Sequence, residues 1–142
     1  MARRILARGT QLQRSDGAAT PVWVKVAQAI SMDGPNMSAD ITQLDDHDLP
    51  AGYLAKTKTA LDGGTVTFEL HFDPDEATHS EIITDFENMT EMEDYRLVVP
   101  GATKGLAFSG TVTGFNPSFP SNGPVTASCS IEVDGAVTVA TF

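Results

Sequence analysis

Two stretches of the sequence alternate strictly between apolar and polar residues, and this pattern limits the possible folds more than any other feature. They cover residues 65–72 and 125–133. The apolar positions are Val66, Phe68, Leu70 and Phe72 in the first stretch, and Val125, Ala127, Cys129, Ile131 and Val133 in the second. Successive side chains of a strand point to opposite faces, so both stretches are predicted to be antiparallel strands with one buried and one wet face.

The remaining pattern predicts about six strands in total and one helix. Further strands are expected at residues 22–26, 95–99, 106–112 and 137–139. Asp73 or Thr78 can cap a helix whose apolar side holds Ile82, Ile83, Phe86 and Met89, while Glu81, Asp85 and Glu87 face water. The expected fold class is therefore mainly β, a β sandwich or curved antiparallel sheets with one flanking α-helix.

The chain of 142 residues is expected to form a single domain with two appendages. Residues 1–20 form a basic N-terminal arm, and residues 21–142 form a β-rich domain. Residues 31–60 contain many turn formers and little periodicity, so we predict a long loop that is functional or partly ordered into a hairpin.

Charge is distributed unevenly along the chain. The first fourteen residues carry Arg3, Arg4, Arg8 and Arg14 and no acid, which leaves 5 basic against 19 acidic residues in the remainder. A body of that sign repels phosphates, so specific DNA recognition is not expected. No signal peptide or membrane helix is predicted, because the apolar run at residues 5–7 is short and residues 105–131 are interrupted throughout by polar residues, Gly and Pro.

No catalytic or cofactor motif emerges from the pattern. A phosphate-binding loop, a dinucleotide fingerprint and a nucleophile elbow are all missing from the sequence. Asp45, Asp46, His47 and Asp48 lack calcium-loop spacing, so a solvated acidic loop is favoured over a divalent-cation site. His71 and His79 are interpreted as structural and Cys129 as a small core residue, so neither an enzyme nor a cofactor is expected. Trp23 either covers the second side of the sheet or anchors a subunit contact.

An ordered series of segments, running from about Pro21 to the C-terminus, resembles the tail tube (major tail) proteins of long-tailed, non-contractile bacteriophages. The similar segments are TPVWVKV at 20–26, SMDGPNMSA at 31–39 with Ile41, LDGGTVTFEL at 61–70, DFE at 85–87, YRLV at 95–98, FSGTVTGF at 108–115 and VTASCSIEVDGAV at 125–137. The resemblance implies a virion protein, made in the host bacterial cytoplasm, that self-assembles into stacked hexameric rings. It also implies other tail proteins at the tube ends as partners, and a lumen through which DNA passes without specific binding.

The resemblance also suggests roles for particular residues. A stacking loop would hold Asp45, Asp46, Asp48, Lys56 and Lys58, and a ring-stacking arm would hold Arg3, Arg4, Arg8 and Arg14. Glu69 and Glu132, on the polar faces of the two clearest strands, are the candidates for an acidic lumen wall. Residues 45–60 match no pattern that can be aligned, so the stacking loop is assigned by position only.

Two other functions remain as alternatives. A tail terminator or completion protein of related fold would form a single ring and would not polymerise. A β-sandwich module that binds a small ligand or sugar would use Trp23, Tyr53 and the acidic loop at residues 45–48.

Overall fold

A computed structural model describes residues 4–6, 8–15, 22–44, 52, 55–90 and 92–141. Within these residues the chain forms nine strands and one helix. They are β1 (Gln11–Ser15), β2 (Trp23–Lys25), β3 (Ala29–Asp33), β4 (Ser38–Leu44), β5 (Ala55–Asp62), β6 (Thr65–His71), α1 (Ala77–Glu87), β7 (Glu93–Val98), β8 (Lys104–Ser118) and β9 (Thr126–Thr141). The mainly β class with one flanking helix is confirmed.

Seven of these strands form one antiparallel sheet in the order β2-β1-β7-β8-β9-β6-β3. Although β2 and β3 are its two edges, only residues 26–28 separate them in the chain. This turn is bonded to both sides of the sheet, because the Val26 N–H donates to Leu12 O and the His71 N–H donates to Gln28 O. The sheet is therefore strongly curved, with its two edge strands adjoining.

The core lies on the inner side of this curved sheet. In the β6–β9 ladder, Phe68 is opposite Cys129 and Leu70 is opposite Ala127, and all four side chains are buried. The neighbouring strands add Leu12, Tyr95, Leu97, Phe108 and Val112 to the same core. The alternation predicted for residues 65–72 and 125–133 is confirmed, since His71, Glu69 and Glu132 on the other face are exposed.

The helix differs from the prediction at its start and on its buried face. Its N-cap is Glu76, which makes no capping hydrogen bond through its side chain, so the predicted caps at Asp73 and Thr78 are wrong. Ile82 is buried as predicted, but Phe86 is 48% and Met89 is 96% exposed. Asp85, predicted to face water, is buried, because its carboxylate binds partners on the sheet.

Several predicted boundaries also change. Part of the predicted loop at residues 31–60 is the β4–β5 hairpin, which forms a separate two-stranded sheet. The segment Gln11–Ser15, predicted to belong to the arm, is a strand that pairs with both β2 and β7. The predicted strands at 125–133 and 137–139 are one continuous strand. Gly135 lies within it at a positive φ of 83°, which a glycine adopts without steric cost, so the strand continues past this residue.

Candidate functional site

Glu69 and Glu132 lie on the outer, polar face of the curved sheet, as the alternation predicts. Each is held by a neighbour across the β6–β9 ladder: Ser128 Oγ donates to Glu69 Oε1 at 3.3 Å, and Thr65 Oγ1 donates to Glu132 Oε2 at 3.1 Å. These hydroxyl groups orient both carboxylates on the sheet surface, and the other lone pairs of the carboxylates stay open to solvent. The structure thus places the two predicted residues on the same exposed face, four residues apart along the ladder.

A shallow groove of about 480 Å³ crosses the same face beside Glu69. Polar side chains from four strands line it, namely Ser31, Asp33, Thr67, Glu69, Asn116, Ser128 and Ser130. Asp33 and Glu69 are acidic and no lining residue is basic. This polar groove therefore repels anions, and its acidic character extends to Asp33, which sequence reasoning did not single out.

The four arginines of the predicted arm have different surroundings. Arg4 and Arg8 are exposed, and Arg3 lies outside the described residues. Arg14 instead points into the protein from β1, where its Nε and Nη2 donate to the two carboxylate oxygens of Asp85 at 2.5 and 2.6 Å. Only 14% of its side chain is exposed. Arg14 is thus part of the fold. Of the arm's arginines that the structure describes, Arg4 and Arg8 remain candidates for ring stacking.

Asp85 is the centre of a buried ionic cluster between helix and sheet. Besides Arg14, the Tyr95 hydroxyl donates to it at 2.6 Å. The hydrogen bond of Arg14 to Asp85 raises the pKa of Arg14 despite desolvation. Burial, followed by the hydrogen bond of its own hydroxyl to Asp85, raises the pKa of Tyr95. Glu93 lies 3.6 Å from Arg14, and burial raises the pKa of its carboxyl group. Arg14, Asp85 and Tyr95 together fasten α1 to β1 and β7.

A second set of polar contacts fastens the start of the helix. The Asp73 N–H donates to His79 Nδ1 at 3.1 Å, so the proton is assigned to Nε2, which donates to Ala27 O at 2.7 Å. The Ala27 N–H in turn donates to Thr78 Oγ1 at 3.2 Å. His79 is fully buried. Its role is structural, as predicted, because one ring nitrogen is bonded to the backbone of Asp73 after β6 and the other to the backbone of Ala27 in the β2–β3 turn.

The predicted stacking loop is described only in part. Lys56 and Lys58 are exposed on β5, whereas Asp45, Asp46, His47 and Asp48 lie outside the described residues. Lys58 pairs with Ile41 of β4, and Ile41 is 59% exposed. Leu61, at the base of the hairpin, is 78% exposed. The hairpin therefore presents both basic and apolar side chains to its surroundings.

Cys129 and Trp23 have local roles. Cys129 is buried, and burial raises the pKa of its thiol to about 12, so the reactive thiolate is suppressed. The Arg96 guanidinium carbon lies 4.5 Å from the centroid of the Trp23 ring. This contact favours the interpretation that Trp23 covers the second side of the sheet. Among the described residues, no helix is long and apolar enough to cross a membrane.

Comparison with known proteins assigns a family to the chain. Residues 9–140 match the family described as lambda phage tail tube protein, TTP. No curated protein sequence is significantly similar to the chain.

Solved structures share the fold at low sequence identity. One is the tail of an empty gene transfer agent particle with C6 symmetry, with a TM-score of 0.73, 12% identity and coverage of 92% of this chain and 96% of the other. Another is the SPP1 tail tube, with a TM-score of 0.72, 13% identity and coverage of 98% and 80%. A third is the sheath-tube complex of an extracellular contractile injection system, with a TM-score of 0.73, 15% identity and coverage of 98% and 93%.

Proposed function

The chain belongs to the lambda phage tail tube protein family, and we propose that six copies of it close into a ring and that such rings stack into a tube through which DNA passes. As a tail tube protein it is a structural component of the virion. The observation that carries the proposal is the family match, which spans residues 9–140 and so includes nearly the whole fold. We also propose that the role is purely structural, without catalytic activity.

Features of the fold support assembly from identical copies. An exposed sheet edge favours pairing with another chain, and closure into a ring removes such edges. The β4–β5 hairpin, with exposed Ile41 and Leu61, offers apolar surface for contact with another subunit. In this proposal the hairpin, including Lys56 and Lys58, contacts the adjacent ring, as do Arg4 and Arg8 of the arm.

The wet face of β6 and β9 has the chemistry that a DNA conduit needs. In the proposed ring this face, with Glu69, Glu132 and the groove at Asp33, lines the lumen. Carboxylates repel phosphates over a Debye length of about 8 Å at physiological salt. A net charge of −10 on the chain adds to that repulsion. DNA would therefore slide along the wall without being held by it.

Assembly is tested by negative-stain electron microscopy of the purified full chain across a concentration series. We expect hollow tubes or stacked rings with six-fold symmetry at high concentration, because the edge strands and the hairpin are buried only between copies. Single rings that never stack would favour the terminator or completion protein instead. Monomers at every concentration would contradict self-assembly of this chain.

The lumen assignment predicts a specific effect of charge reversal. Tubes with Glu69→Lys and Glu132→Lys should bind a short DNA duplex inside the lumen, since each substitution replaces repulsion by attraction and is repeated in every subunit. Nuclease digestion measures how much of the tube-bound duplex is enclosed, because enclosed duplex is protected. The amount of protected duplex should exceed that of wild-type tubes at least about tenfold at low salt and should fall as salt rises.

A matched variant controls for attraction to the outer surface. Asp75→Lys with Glu87→Lys makes the same charge change at exposed positions on or next to the helix. Duplex bound there remains open to nuclease, so this variant should give no protection. Equal protection by the two variants would show that Glu69 and Glu132 do not line the lumen.

A further inference from the structure

One side of β9 is open over half of its length. The strand runs from Thr126 to Thr141, but β6 pairs with it only as far as Glu132. The Val133 N–H then donates to Gly64 O at 2.9 Å, which is the last backbone bond on that side. Beyond it, no strand in the described part of the chain pairs with residues 134–141 on the β6 side. Half of the backbone N–H and C=O groups of a strand point to each side, so this segment presents an unpaired edge.

An apolar groove lies alongside this open edge. Its volume is about 380 Å³, and it is formed between β9 and the base of the β4–β5 hairpin. The apolar lining comes from Met37, Leu61, Val133, Ala136 and Val137. Although β5 and β9 both border the groove, they belong to separate sheets and make no ladder with each other. A free strand edge beside an apolar slot is the arrangement that binds an extended peptide segment.

The N-terminal segment of residues 4–8, with the sequence RILAR, has the properties of such an occupant. Leu6 is 83% and Ile5 is 43% exposed, so one large apolar side chain is largely exposed and a second partly exposed within their own subunit. Extended, five residues span about 17 Å, which fits within the eight residues of the open edge. The flanking Arg4 and Arg8 complement Asp62, which lines the groove, and the exposed Asp134 at the start of the edge.

The placement of the segment in its own copy indicates that the occupant comes from another copy. The segment leads into β1, where Gln11 pairs with Val98 of β7. In their own copy, residues 4–6 are not among the residues that line the groove at β9. Residues 8–11 instead line a different groove, shared with Lys25, Gln28 and Ile30. We propose that residues 4–8 of one copy dock into this groove of a second copy and add a strand to the open edge of β9; the proposal rests on the self-assembly proposed above.

Disulfide trapping between two variants tests this docking. Leu6→Cys protein is mixed with Ala136→Cys protein under mild oxidation, and disulfide-linked dimers are quantified before and after assembly. Docking should bring the two sulfurs within bonding range and give at least about tenfold more mixed dimer than the control pair. In the control, Leu6→Cys is mixed with Thr67→Cys, an exposed position on β6 that is paired on both sides. The native Cys129 is buried and stays out of the exchange.

The outcomes separate this inference from the proposed tube. Tubes that form while the Leu6–Ala136 pair gives no more dimer than the control would overturn the docking and leave the tube intact. Trapped mixed dimers without tubes would support the docking and contradict the tube. A disulfide within single chains of a Leu6→Cys, Ala136→Cys double variant, formed at high dilution, would overturn docking between copies.

Discussion

Replacing Asp85 by Ala is expected to lower the free energy of unfolding by about 3–5 kcal/mol, because it removes the carboxylate that is hydrogen-bonded to the buried guanidinium of Arg14. Asp85 accepts two hydrogen bonds from Arg14 and one from the Tyr95 hydroxyl, and only 6% of it is exposed. Chemical denaturation followed by circular dichroism measures the change. The loss should appear in the midpoint of unfolding at an unchanged slope.

The matched control removes another acidic partner of the same arginine. Glu81 lies 3.5 Å from Arg14, but 43% of its side chain is exposed. An exposed pair of this kind contributes at most about 1 kcal/mol, so Glu81→Ala should be nearly neutral. Equal effects of Asp85→Ala and Glu81→Ala would show that the burial of the cluster does not determine its contribution.

The cluster also shows where sequence reasoning about the helix failed. Asp85 is predicted to face water, opposite the apolar stripe, yet it lies three residues after Ile82 and thus on the same helix face. His79 lies three residues before Ile82 on the same face, and it is buried as well. What the spacing could not supply was the partner, since Arg14 lies 71 residues away in sequence.

The strands were easier to predict where one face is dry and the other wet. In β6 and β9 the alternation predicted both the elements and the exposure of Glu69 and Glu132, because each strand has one face in the core. The direction in which that wet face points in a tube depends on neighbouring copies, which a single sequence does not encode.

Strand ends were harder to predict than strand interiors. Asp134-Gly135 is a typical turn signal and suggested that β9 ends there, but the strand continues through the positive φ of Gly135 to Thr141. Its partner β6 begins only at Thr65, opposite Glu132. The open edge results from this mismatch in strand lengths, and no local pattern in either strand reveals it.

The second large effect is expected at the base of the hairpin, where Gly64 joins β5 to β6. Gly64 has a φ of +78°, and a Cβ added there would meet the Asn36 carbonyl oxygen at 2.0 Å. In the Gly64→Ala variant a left-handed conformation costs about 1–2 kcal/mol. Forcing apart two backbone segments adds about 1–3 kcal/mol. Thermal unfolding monitored by circular dichroism should show a correspondingly lower midpoint.

Gly101 separates the two contributions. It has nearly the same φ, +79°, but a Cβ there would meet nothing within 4 Å. Gly101→Ala should therefore show the conformational cost alone, and the excess in Gly64→Ala measures the contact between residues 34–36 and the start of β6. That contact holds the hairpin base beside β9, where the proposed docking groove lies. Equal destabilisation of the two variants would mean that the Asn36 backbone moves aside freely. The docking groove beside β9 would then have no fixed shape before a second copy binds.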